Sequence, residues 1–350
     1  MTRRYRELSV AEAARRCPDV AALLDDPCAD PVVRPTADER RVGALGDEAV
    51  DRAAFLLERC GVVALDGAPR AFADGAGQLR SRVLAAAAPA LSERQALRET
   101  LKNAMRQRTP LRDVLHEAQN DEGYLARGGV YRERNDARID VLLNTSADEL
   151  LLPFVAAPVL RRVLGDDAEL KSRHALIALP GTEAQHWHRD TEPLFPDAPP
   201  RPYAVNAFVY TEDLSNAARG ATEFVPGSTR WPEIRDDGVE RTFLFEAGTV
   251  VLADYRCVHR GGALRAGTEP RVVAMYVYGK AWWRDSVNYG GDDYGGFRAP
   301  SAEEDASPTL RAAAPGAARR REAMFWGLAN QWEASLRGEL DRDHAEGGES

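Results

Sequence analysis

Between Glu169 and Gly279 the chain breaks into short β-rich runs, and this rhythm constrains the fold more than any other feature. ELKSRHALIAL (169–179), YAVNAFVY (203–210), ATEFV (221–225), GTVVLAD (248–254) and RVVAMYVYG (271–279) follow one another. Most are shorter than an ordinary helix and are rich in β-branched or aromatic residues. Turn residues punctuate them, as at Pro180–Gly181 and at Pro226, Gly227 and Ser228. Many short strands with turns between them close into a sandwich or a barrel. We expect a mainly β fold with flanking α-helices, its core lying over residues 166–285.

The flanks read differently. EAVDRAAFLLERC, ending at Cys60, has the spacing of an amphipathic helix, and GVVAL (61–65) follows as a strand. Residues 88–118 are mostly helical in character, and GGVYRERNDARIDVLL ends in a strand. PFVAAPVLRRVLG (153–165) is a helix with Gly165 as its stop signal. Near the end, Phe325, Leu328, Ala329, Trp332 and Leu336 recur at helical spacing. They mark a packing helix, against the barrel or against a second copy of the chain in a homodimer. No linker-like stretch interrupts the middle. The expected organisation is one domain over 1–350, with an irregular arm (1–43), a helix-rich part with the first strands (44–165), the β core (166–285), a C-terminal extension with a helix (286–340) and a disordered tail (341–350).

Charge narrows the partners. The formal net charge of −9 disfavours a nucleic-acid surface, which needs a basic stripe. It disfavours an anionic membrane surface for the same reason. No apolar run reaches the length of a membrane span, and the first residues lack the apolar stretch of a signal peptide. The four cysteines, Cys17, Cys28, Cys60 and Cys257, form no CxxC pair, so neither a zinc site nor a disulfide framework is indicated. Reduced thiols and a cytoplasmic location are expected.

Chemistry enters with QHWHRD (185–190). Alternate side chains of an extended segment share a face, so His188 and Asp190 can converge on one point. A third ligand has to come from elsewhere, and His259 closes DYRCVHRGG just after GTVVLAD. Two imidazoles and one carboxylate leave three coordination positions open, an arrangement suited to Fe(II) and oxygen. An HxD alone is a weak signal; the neighbouring stretches and their order strengthen it.

QHWHRD, then GATEFVPGSTRW (220–231), then GTVVLADYRCVHRGG (248–262), then Arg271 resembles the phytanoyl-CoA dioxygenase family of Fe(II)- and 2-oxoglutarate-dependent oxygenases. The resemblance covers about 170–280 and implies a double-stranded β-helix core. It implies His188, Asp190 and His259 as the iron ligands, 2-oxoglutarate as cosubstrate, and O2 as oxidant. It places Arg271, twelve residues beyond His259, on the cosubstrate's distal carboxylate. Independently, a guanidinium fork matches a carboxylate with two charge-assisted hydrogen bonds. On a strand, Arg271 shares its face with Val273, Met275 and Val277, which turns it into an apolar interior. The chain departs from the family pattern at Gly261, where a hydroxyl residue often helps hold the cosubstrate, and at Leu264, Ala266 and Thr229. Related halogenases carry Ala or Gly in place of the carboxylate ligand; Asp190 is present, so halogenation is not expected.

Secondary candidates for touching the cosubstrate are His174 and Asn206, with Lys171 and Arg173 on the same strand as His174. His186 shares parity with His188 and is read as packed beside the site, whereas Trp187 and Arg189 should point away. Trp282, Trp283, Arg284 and Tyr289 either wall the substrate or cover the barrel end. Tyr131, Arg134 and Arg138 fall in the part where substrate recognition varies. The expected activity is hydroxylation of a small organic molecule in specialised metabolism. Alternatives are desaturation, epoxidation or rearrangement by the same ligands, a protein-modifying oxygenase, or a non-catalytic metabolite-binding barrel.

Overall fold

The computed structural model describes residues 28–42, 44–66, 70–109, 131–135, 138–142, 153–191, 201–235 and 240–283. Its strands are β1 (Val32–Val33), β2 (Val62–Leu65), β3 (Tyr131–Asn135), β4 (Arg138–Leu142), β5 (Glu169–Ala178), β6 (Ala204–Tyr210), β7 (Thr222–Phe224), β8 (Arg241–Thr242), β9 (Val250–Asp254), β10 (His259–Gly261) and β11 (Arg271–Gly279). Among the described residues the α-helices are α1 (Ala37–Val42), α2 (Asp47–Cys60), α3 (Arg70–Arg106) and α4 (Pro153–Leu164).

The strands form two sheets. The large one has the order β1-β2-β9-β6-β11-β5-β4-β3, and the small one β10-β7-β8. The segment before Asp190 adds a further edge to the small sheet. His188 bridges His259 in antiparallel fashion, and the Gln185 N–H donates to the Gly261 carbonyl at 2.9 Å. From β5 onward the chain visits large, small, large, small, small, large, small and large sheets in turn. This winding is a double-stranded β-helix, the fold class expected.

Strand periodicity divides the apolar residues into two cores. On the outer face of the large sheet, Val205, Ala207, Val209, Leu252, Val272 and Ala274 pack against α2 and α4, among them Leu56, Leu57 and Leu160. On the inner face, Phe208, Tyr210, Val251, Val273 and Met275 meet Phe224 and Phe243 across the barrel. The helices therefore brace the back of the sheet and leave its front for the site. Leu57 is fully buried, so truncation to Ala should cost about 2–5 kcal/mol.

The helix over 47–60 and the helix ending before Gly165 form as expected. Gly165 takes φ +102 and donates its N–H to the Arg161 carbonyl. Gly61 ends α2 in the left-handed region at φ 75, and a Cβ there would meet Thr229 Cγ2 at 2.4 Å. Only glycine lets α2 turn into β2 this close to the 228–230 turn.

Two expectations need correction. Where it is described, the segment read as an irregular arm contributes β1, parallel to β2, and the helix α1. Two valines carry too little periodicity to reveal a strand. Moreover, Cys28 and Cys60 are joined in a disulfide across 32 residues, so reduced thiols do not describe this pair. The pairing arises because β1 runs along β2, which places the arm beside the end of α2; no short-range cysteine spacing announces it. Cys257 is free and buried. Among the described residues no helix is long and apolar enough to cross a membrane. The helix expected around 322–336, the tail, Arg284, Tyr289 and most of the proline-rich segment after Thr191 lie outside the described residues.

Candidate metal and cosubstrate site

The site is assembled from the edge of the small sheet. The backbones of His188 and His259 exchange two hydrogen bonds, at 3.0 and 2.9 Å, which sets their rings 4.5 Å apart. Asp190 is anchored by its N–H to the Tyr255 carbonyl at 3.0 Å. One ligand atom from each of His188, Asp190 and His259 lies within 4.8 Å of the others. The segment carrying His188 and Asp190 is a single bridge followed by a bend, not the regular strand that the alternation suggests.

Each imidazole has its tautomer set by the backbone. The Nδ1 of His188 lies 2.8 Å from the His186 carbonyl, and that of His259 lies 2.9 Å from the Cys257 carbonyl. A carbonyl only accepts, so Nδ1 carries the proton in both rings and Nε2 offers its lone pair to the cavity. His259 is further wedged by Phe224, stacked at 5.7 Å, and by the edge-on ring of Phe208 at 5.9 Å. This donor set fits a divalent first-row metal with open positions.

The opposite wall comes from the large sheet. Arg271 begins β11, is 2% exposed, and faces the cavity with Val273 and Met275. Its Nη1 donates to the Gly262 carbonyl at 3.2 Å, while Nε is buried with no partner. No carboxylate among the described residues forms an ion pair with it. Burial, with Arg219 nearby, pulls its guanidinium down to about 10, against the opposing pull of Tyr210 and Glu223. A buried cation lacking an anion on the wall of a metal-ligand cavity fits the distal carboxylate of a keto diacid. Neighbouring groups fix its position: Glu212 accepts from the Val272 N–H at 2.8 Å and pairs with Arg80 and Arg219. Gly262 matters here too, since a Cβ on it would come within 2.5 Å of the Ala221 carbonyl oxygen.

Other candidates fall on both sides of the cavity wall. Asn206 lines it and donates from Nδ2 to Asp190 Oδ2 at 2.7 Å. His174 is buried opposite Met275 on β5 but is not among the residues lining the cavity. Lys171 is engaged by Glu169 and the Ala281 carbonyl. His186 is exposed and contributes its carbonyl, not its ring. Trp187 and Arg189 point away, as parity required. Trp187 lies under Arg260 at 4.2 Å, and Arg189 donates to the Trp231 carbonyl at 2.6 Å. Trp283 is buried against Tyr203 and Tyr255 and closes the barrel end, whereas Trp282 is 62% exposed. Tyr131 and Arg134 lie on β3, the edge strand of the large sheet, and Arg138 lies on β4 beside it.

Sequence reasoning missed Gln185, Thr222 and Tyr255, which also line the cavity. Thr222 stands directly across β7–β10 from Gly261, so a hydroxyl is present beside the position where the chain lacks one. Gln185 lies three residues before His188 and accepts from the Gly261 N–H at 2.8 Å. Cross-strand register brings these together, and one sequence does not print it.

Residues 83–272 match the sequence model of the phytanoyl-CoA dioxygenase (PhyH) family, more than half of the chain. The chain belongs to this family. This phytanoyl-CoA dioxygenase family chain is 27% identical to Dioxygenase af480 of Aspergillus fumigatus over 146 residues, covering 40% of the chain and 47% of that protein. It is 35% identical to the iron/alpha-ketoglutarate-dependent dioxygenase penM of Penicillium thymicola over 109 residues, 29% of the chain and 34% of that protein. The matched stretches thus span less than half the length of either relative. A crystal structure of the non-heme alpha ketoglutarate dependent epimerase SnoN from nogalamycin biosynthesis aligns at 19% identity and TM-score 0.44, covering 73% of the chain and 90% of SnoN. That likeness is too distant to transfer any property.

Proposed function

We propose that this protein is an Fe(II)- and 2-oxoglutarate-dependent dioxygenase. It hydroxylates an unactivated C–H bond of a small organic molecule in natural-product biosynthesis, with the whole chain acting as one oxygenase domain. One observation carries the reading: three ligand atoms within 4.8 Å share a cavity with a buried arginine that lacks an anion. Family membership and the names of the two fungal relatives support it.

His188 and His259, through Nε2, and Asp190 would hold the iron. Arg271 would grip the distal carboxylate of 2-oxoglutarate, with Thr222 and Gln185 as the second anchor in place of a hydroxyl at Gly261. When bound, the iron and 2-oxoglutarate supply an oxidant from O2 while the keto acid becomes succinate and carbon dioxide. Leu176, Phe208 and Met275 keep the wall between the ligands and Arg271 apolar, which excludes water from the anion's path. The −9 net charge favours a small molecule over nucleic acid. Desaturation, epoxidation or rearrangement would use the same ligands; product mass separates desaturation from hydroxylation, and product NMR separates epoxidation and rearrangement.

The test is anaerobic addition of Fe(II) and 2-oxoglutarate. A visible charge-transfer band is expected in the wild-type protein and absent in Asp190→Ala; lack of the band in the wild type refutes the reading. Succinate release then screens candidate substrates.

A further inference from the structure

We infer that Asn206 is a positioning residue for Asp190, holding the carboxylate in the orientation that meets the two imidazoles; this rests on the iron reading above. Asn206 lies on β6, 4% exposed, with its side chain inside the barrel. Its Nδ2 donates to Asp190 Oδ2 at 2.7 Å. A carboxylate only accepts, so the amide cannot be turned round. The nitrogen is committed to Asp190, and Oδ1 is left buried with no partner. An unmatched buried acceptor costs on the order of 1–3 kcal/mol. The neighbouring wall is apolar, with Phe208 on the same face of β6 and Met275 beside it on β11. On folding grounds alone a leucine would suit that position better, so the amide is there for what it touches.

Asp190 needs such a hold because its backbone leaves the side chain unset. His259 sits in a ladder with β7, and His188 is pinned to His259 from both sides. Asp190 lies outside every named strand. Its N–H and that of Thr191 converge on one carbonyl, Tyr255, at 3.0 and 3.2 Å. That fork fixes where the residue is but not where its carboxylate turns. The oxygen gripped by Asn206 is the one 3.7 Å from His259 Nε2. Partners behind a ligand commonly set its direction in this way.

The register also separates Asn206 from the anion cradle. Asn206 pairs with Val277, six residues along β11 from Arg271. At about 3.3 Å per residue the two levels are roughly 20 Å apart along the strand. The amide therefore serves the ligand, not the cosubstrate's distal carboxylate.

Asn206→Leu removes the donor and nearly keeps the volume. Without metal it is expected to melt at or above the wild-type temperature. Co(II) alone, titrated calorimetrically without oxygen, is expected to bind at least about tenfold more weakly. The visible spectrum of bound Co(II) should change shape, a signature that a merely structural role would not move. Asn206→Ser, too short to reach Asp190, should show the same loss, so a folding defect in one variant does not decide the outcome. Wild-type affinity and spectrum in both variants overturn the inference. Failure of the wild-type protein itself to bind Co(II) overturns instead the iron reading beneath it.

Discussion

Arg271→Leu should make the ligand-free protein more stable while abolishing its response to 2-oxoglutarate. Burial holds the Arg271 guanidinium at about 10, well below an ordinary arginine. At 1.36 kcal/mol per pH unit, keeping that charge costs the folded state on the order of 3 kcal/mol near neutral pH. Leucine also forfeits the hydrogen bond to the Gly262 carbonyl, worth about 1 kcal/mol. The net gain is about 2 kcal/mol, which for a chain of this size is about 3 °C in Tm. The folded state disfavours the charged form, so the penalty is complete below pH 10 and fades as the pH rises through that value. Wild type and variant should therefore converge at strongly alkaline pH. In the wild type, 2-oxoglutarate at a hundredfold its Kd adds about 2.7 kcal/mol by mass action, and the variant should gain almost none. Unfolding is followed by circular dichroism with Mn(II), with and without 2-oxoglutarate. A variant less stable than wild type at pH 7, or one stabilised equally by the cosubstrate, refutes the reasoning.

Two further outcomes are expected. Thr222→Val keeps the shape of the wall and removes its hydroxyl, so the 2-oxoglutarate KM should rise roughly tenfold, the loss of one hydrogen bond to a charged group, with Fe(II) affinity unchanged. An unchanged KM removes Thr222 from the anchor. Cys28→Ser opens a disulfide that closes 32 residues, and loop entropy puts the cost at about 3–4 kcal/mol. Urea unfolding with and without dithiothreitol checks this: the reductant should shift the wild type towards the variant and leave the variant where it is.

Local pattern made much of the fold legible. The β runs from Glu169 to Gly279 became β5, β6, β7, β9 and β11, because each is a short run rich in β-branched or aromatic residues between turns, and β6, β9 and β11 are buried on both faces. Convergence of His188, Asp190 and His259 was readable from an HxD and a later histidine, and the inward aim of Arg271 from its parity with Val273 and Met275. What stayed hidden depends on register between distant segments. Thr222 matters because it faces Gly261, and Cys28 meets Cys60 only because β1 runs beside β2. His174 has the same inward parity as Leu176, yet it sits one level up β5, opposite Met275, outside the cavity lining. Parity gives a face; it does not give a depth.

The reciprocal backbone pair between residues 188 and 259 makes the metal a gauge of strand alignment. Were the segment before Asp190 to dock one residue out of step, His188 would swing to the outside of the barrel while His259 stayed in its ladder with β7, although the apolar interior would hardly notice. A misassembled chain would thus forfeit its chemistry while keeping most of its stability. Metal binding before final docking would favour the correct alignment over its nearest competitor.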